Sequence, residues 1–102
     1  MKTVIDVPIA DQFEGAFRYI TGEIVDVAPH LADVLTFALH RNPYDRGARP
    51  RWQVTMIENG YRVGSFYGTR RECLAAVTAR AATKTIADVD EANARMPEWV
   101  TR

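Results

Sequence analysis

The residues able to do chemistry in this 102-residue chain are few and scattered. Its one thiol, Cys73, follows Thr69-Arg70-Arg71-Glu72 and falls in the first turn of an expected helix. There the helix dipole lowers a thiol pKa and favours a nucleophilic thiolate. The spacing Cys73, Leu74, Val77 places the same side chain near an apolar stripe, where a free cysteine serves as core packing. His30 and His40, the two histidines, have no partner at metal-ligand spacing and read as surface or packing residues. The acidic residues form no close pair suited to acid–base work. Gly60, Gly64 and Gly68 are spaced along a hairpin and do not open the strand–helix unit of a phosphate loop. These residues describe a non-enzymatic chain with no cofactor and no metal.

What the chain does concentrate is arginine. Residues 41–85 carry nine basic side chains against three acidic ones, while residues 1–40 carry two against six and residues 86–102 two against four. A net charge of zero thus hides a basic middle between acidic ends. Eight of the nine basic residues in the middle are arginine, whose flat fork grips phosphate, carboxylate or guanine edges in pairs of hydrogen bonds. Trp52, Tyr61, Phe66 and Tyr67 are interleaved with them, as suits stacking on bases. The candidate binding set is Arg46, Arg49, Arg51, Gln53, Arg62, Tyr67, Arg70 and Arg71. Its partner is nucleic acid or an acidic protein surface. Taken singly, the arginines read as solvated and the aromatics as packing of a sheet on a helix. Arg70 and Arg71 also oppose the dipole of the helix they begin, a cost that a bound anion would offset. Acidic ends and a basic centre are complementary within one copy and between copies, which leaves a homodimer open.

The elements that hold these residues follow from periodicity and punctuation. Val4, Ile5, Val7 and Ile9 form a β-prone run that Pro8 confines to an edge strand or an arm. Asp11 and Glu14 have the spacing of a capping box, and Phe13, Ala16, Phe17 and Ile20 fall on one helical face, so a helix is expected over Asp11–Thr21 with Gly22 as its stop. Residues 23–41 fit either a helix begun at Pro29 or a strand, with residues 34–41 favoured as strand. Residues 42–50, with two prolines and a glycine, read as a loop. Alternation in Trp52, Val54, Met56 and in Tyr61, Val63 around Glu58-Asn59-Gly60 predicts a tight hairpin. Thr69 with Glu72 caps a following helix, Thr85 and Asp88 begin another that Pro97 ends, and Trp99 and Val100 fold back as an apolar latch.

Length and composition point to one α+β domain over residues 1–102. The expected architecture is a small antiparallel sheet of two or three strands on hairpin 51–67. The helix from Thr69 packs on it and the Asp11–Thr21 helix completes the core. No apolar run reaches the roughly 20 residues that span a bilayer, and a single cysteine gives no internal disulfide. A cytoplasmic location without membrane contact is therefore expected.

The stretch from Arg51-Trp52-Gln53-Val54 through Phe66-Tyr67-Gly68-Thr69-Arg70-Arg71-Glu72-Cys73-Leu74 resembles AP2-like DNA-binding domains and the arm-binding domains of phage integrases. Those domains run a short antiparallel sheet into a helix that begins near Phe-x-Thr-x-x-Glu-Ala. Here one extra residue precedes the threonine, and Cys73 stands where alanine is usual. The resemblance covers about a third of the chain and has no counterpart in the N-terminal half. It implies a sheet lying in the DNA major groove, with Arg51, Gln53, Arg62 and Ser65 toward the bases. The size and the absence of a catalytic signature also look like a phage or plasmid accessory protein. That style includes a protein-binding inhibitor or adaptor such as an anti-CRISPR.

Overall fold

A computed structural model describes residues 3–11, 13–42 and 51–101, with backbone alone for 51, 65–67 and 101. The chain forms five strands and then three helices, an α+β order. The strands are β1 (Val4–Asp11), β2 (Ala16–Val25), β3 (Phe37–Arg41), β4 (Arg51–Met56) and β5 (Arg62–Tyr67). They lie in one antiparallel sheet in chain order. The helices are α1 (Arg70–Ala81), α2 (Ile86–Ala94) and the short α3 (Glu98–Thr101). The sheet is therefore larger than the two or three strands expected.

The difference arises in the first 25 residues, where the expected helix is a β-hairpin. Asp11 does accept from the backbone of Glu14, at 3.2 Å, as a helix cap would. It also accepts from Phe13 N at 3.0 Å, which makes the contact a turn between β1 and β2. Gly15, at φ 64°, closes that turn. Beyond it Phe17, Tyr19, Ile20, Thr21, Ile24 and Val25 are aromatic or β-branched and prefer a pleated strand. Strand pairing over eight residues outweighs the helical spacing of four apolar positions.

Gly22 is no helix stop but the place where β2 leaves the sheet plane. Only Glu23–Val25 pair with β3. A Cβ at Gly22 would stand 2.5 Å from a methyl of Val7 and 3.1 Å from the carbonyl of Leu39. The β1–β2 hairpin therefore folds back over one sheet face, burying Val7 and Ile9 against Ala38. Near its tip Ala10 N donates to Gly60 O at 2.9 Å, which ties the hairpin to the β4–β5 turn.

The opposite face holds the larger core. Cys73, Val77 and Ala81 on α1 bury against Phe37, Leu39 and Val54, with Val27, Leu31 and Leu35 from the β2–β3 connection. Small Ala81 and Cys73 let α1 lie close to the sheet. Val77 is fully buried, a contribution of about 1.5–3 kcal/mol. Residues 23–41 combine both readings of the sequence, a short 3-10 turn at Pro29–Leu31 followed by a strand at Phe37–Arg41.

The Asn-Gly hairpin is present, with a different turn. Gly60 has φ 72°, but no non-glycine residue described has positive φ, so Asn59 does not adopt the two-residue turn's left-handed conformation. Instead Gly60 N donates to Met56 O at 2.8 Å, and Asn59 Oδ1 accepts from Tyr61 N at 2.9 Å. Both capping boxes of the C-terminal half form, Thr69 with Glu72 and Thr85 with Asp88. The latch forms as well: Trp99 meets Phe17 edge-on at 5.2 Å, and Val100 is buried.

Candidate anion-binding end

The sheet register gathers four of the eight candidate residues, Arg51, Tyr67, Arg70 and Arg71, at one end. Arg41 closes β3 opposite Trp52, Arg51 opens β4 opposite Tyr67, and α1 begins three residues after Tyr67. The loop carrying Arg46 and Arg49 connects Arg41 to Arg51, and both loop arginines lie outside the described residues. Arg51 and Tyr67 are placed here by backbone register alone.

Arg41 is exposed, and its guanidinium sits 4.9 Å from the centre of the Trp52 ring. A cation held over the face of an aromatic ring can still meet an anion from its open side. Arg71 is exposed at the start of α1. Arg70 is paired with the carboxylate of Glu23, which β2 brings across from the acidic N-terminal third. One of the basic residues at this end is thus already neutralised by the chain's own acidic segment.

Two candidates are elsewhere. Arg62 is exposed at the start of β5 opposite Thr55, four residues along β4 from Arg51, or roughly 13 Å away. Gln53 is 5% exposed and lies under the β1–β2 hairpin, so it reaches no partner outside the chain. Its Nε2 donates to Thr55 Oγ1 at 3.1 Å. His40 completes this buried group. Its Nδ1 lies 2.7 Å from the carbonyl of Arg41, which can only accept, so Nδ1 carries the proton. Its Nε2 then accepts from the Thr55 hydroxyl at 2.7 Å. Burial holds His40 below the usual histidine pKa, against the smaller opposing effect of the Arg41 carbonyl. A fully buried Thr55 has no access to substrate, so the His–Thr pair braces the sheet.

Comparison with family models, with curated proteins and with solved structures finds no match to this chain.

Cys73 is fully buried between α1 and the sheet, and burial pushes its thiol pKa up. The core reading of the residue holds. No group of three metal-ligating side chains occurs among the described residues, and no described helix is long and apolar enough to cross a membrane. Reading the sequence alone undervalued Arg41, which stands in the basic segment but gains its place only from the β3–β4 register. The signal available was its position two residues past Leu39 on a strand facing Trp52.

Proposed function

We propose that the chain is a small non-enzymatic binding module whose basic sheet end engages nucleic acid. Arg41 and Arg71 are exposed there, and Arg46, Arg49, Arg51 and Tyr67 are the further residues this reading assigns to the contact. The observation that carries this reading is the Arg41–Trp52 pair, an exposed guanidinium over an aromatic ring. Phosphate contacts by such arginines supply affinity, and adjacent aromatics favour unpaired bases. The resemblance of residues 51–74 to AP2-like domains favours the same partner. With Gln53 buried, the contact runs through the sheet end and the start of α1, not through a sheet face laid in a groove.

A second reading is an inhibitor or adaptor that docks the same end on an acidic protein surface. The Arg70–Glu23 pair favours it, since a carboxylate already occupies one arginine of this end. Anisotropy of labelled duplex DNA, single-stranded DNA and RNA at low and moderate salt separates the two. Salt-sensitive binding that Arg41→Ala and Arg71→Ala weaken, and Arg62→Ala leaves alone, supports the nucleic-acid reading. Absence of binding at low salt, where the electrostatic contribution is strongest, removes it and directs the search to a protein that co-purifies with the chain.

A further inference from the structure

The end of the sheet opposite the basic one carries a tip and a cleft that fit each other. The tip is the β1–β2 turn. Phe13 is 104% exposed there, with Glu14 exposed next to it and Asp11 two residues before. An unpaired phenyl ring on the surface costs solubility and packs against nothing in its own chain. Asp11 accepts from both Phe13 N and Glu14 N, which restrains those two residues and reduces the freedom lost if the ring is seated elsewhere.

The cleft lies between α1, α2 and the sheet. Val89 packs α2 against the core while no residue of the helix is fully buried, and a space of about 240 Å³ remains over Leu35, Phe37, Met56 and Val63. Apolar cavities of about 150 Å³ accept benzene, and most small-ligand sites run from about 300 Å³ upward. The space therefore suits one aromatic side chain better than a cofactor. Its rim carries Arg80, Lys84 and Asp88. Neither cation makes an ion pair within 4 Å among the described residues. The Asp88 carboxylate accepts from Thr85 N at 2.8 Å and from its hydroxyl at 3.1 Å, and it feels the charge of Lys84 at longer range. An aromatic ring flanked by free carboxylate is the complement of such a cleft.

Tip and cleft are neighbours across the β4–β5 turn. Ala10 bonds to Gly60, and Phe13 lies three residues on, at most roughly 10 Å away even for an extended chain. Asn59, next to Gly60, lines the cleft. Two patches this close on one surface permit a two-fold arrangement in which each copy gives its tip and receives its partner's. The obvious alternative, pairing of β1 edges, is interrupted in the second half of the strand. Ile24 N donates to Thr3 O, so alternate residues from Thr3 face β2, and Val4, Asp6, Pro8 and Ala10 face outward. Pro8 has no N–H to offer, and the N–H of Ala10 is taken by Gly60.

We infer that the chain forms a reciprocal dimer in which Phe13 of each copy enters the apolar cleft of the other, with Glu14 against Arg80 and Lys84. The contact is independent of the basic end, which stays free on both copies. Sedimentation velocity from about 10 µM to about 1 mM, spanning weak association, tests it on the full chain. The expected result is a mass rising from 11.5 kDa toward twice that value. Phe13→Ala raises the dissociation constant at least about tenfold, the cost of about 1.4 kcal/mol. Glu14→Arg and Arg80→Glu each weaken the dimer, and the two combined in one chain restore it. Thermal melts confirm that these exposed substitutions leave the fold intact. A chain that stays monomeric throughout, a dimer indifferent to Phe13→Ala, or charge reversals that fail to compensate each overturn the inference.

Discussion

The ring of His40 and the hydroxyl of Thr55 meet at 2.7 Å across β3 and β4, both less than 3% exposed, beneath a hairpin that begins more than thirty residues earlier. Gln53 donates to Thr55, Thr55 donates to His40, and His40 donates to the Arg41 carbonyl. Every polar hydrogen along this short chain of bonds has a place only while His40 is neutral. Protonation would put a second donor on the Thr55 oxygen and leave its own hydrogen without the acceptor it has now.

Acid should therefore destabilise the fold before the carboxylates titrate. Burial lowers the folded pKa of His40 below the unfolded value of about 6.5, so the unfolded state binds the extra proton first. Stability is full above that pH and declines as pH falls below it, by at most about 1.4 kcal/mol per unit. Urea midpoints between pH 8 and pH 5 should show this decline, and His40→Gln should be flatter over the same interval. Equal slopes for the two proteins would contradict the neutral, buried assignment.

Gly22 is required by closeness rather than by its backbone angle. Gly22→Ala places a Cβ against the stiff Val7 side chain and the Leu39 carbonyl, neither of which can swing aside. Overpacking of this kind costs about 1–3 kcal/mol. The loss should appear in the urea midpoint with an unchanged slope, and a neutral substitution would mean that the β1–β2 hairpin lies farther from β3.

Local signals in the C-terminal half were legible because their determinants are local. The Thr69–Glu72 and Thr85–Asp88 boxes, the strands around Asn59-Gly60 and the Trp99 latch all involve short spacings or large apolar side chains. The N-terminal half misleads for a physical reason. An aspartate accepting from the N–H three residues on is common to a helix cap and a hairpin turn, and only the strand-forming residues after Gly15 distinguish them. Burial of Gln53 was not legible at all. On an alternating strand a polar position reads as solvent-facing, and what covers this one is a distant hairpin. The basic end was legible as composition, while the removal of Arg70 by Glu23 depends on a pairing 47 residues apart.

That pairing makes Glu23 a restraint on the basic end. Glu23→Gln frees Arg70 and should tighten binding to the preferred nucleic acid several-fold at low salt. The log–log salt slope should steepen by about 0.9, the value for one added phosphate contact on duplex DNA. Folding stability should change by about 1 kcal/mol or less, because Arg70 is partly exposed. Unaltered affinity and slope would place Arg70 outside the contact.

Cys73 supplies a probe of the core that needs no partner. A thiol with no exposed surface and a raised pKa is a poor nucleophile, whatever the helix dipole at its position. Modification by an aromatic disulfide reagent should therefore wait on opening of α1 from the sheet. Native protein at pH 8 should react at least about a hundredfold more slowly than protein in denaturing urea, as local opening free energies of a few kcal/mol require. Val77→Ala, which opens a cavity one turn along the same face and costs about 1–3 kcal/mol, should speed the native reaction. Immediate native labelling at the unfolded rate would mean that Cys73 lies at the surface and would return it to consideration as a nucleophile.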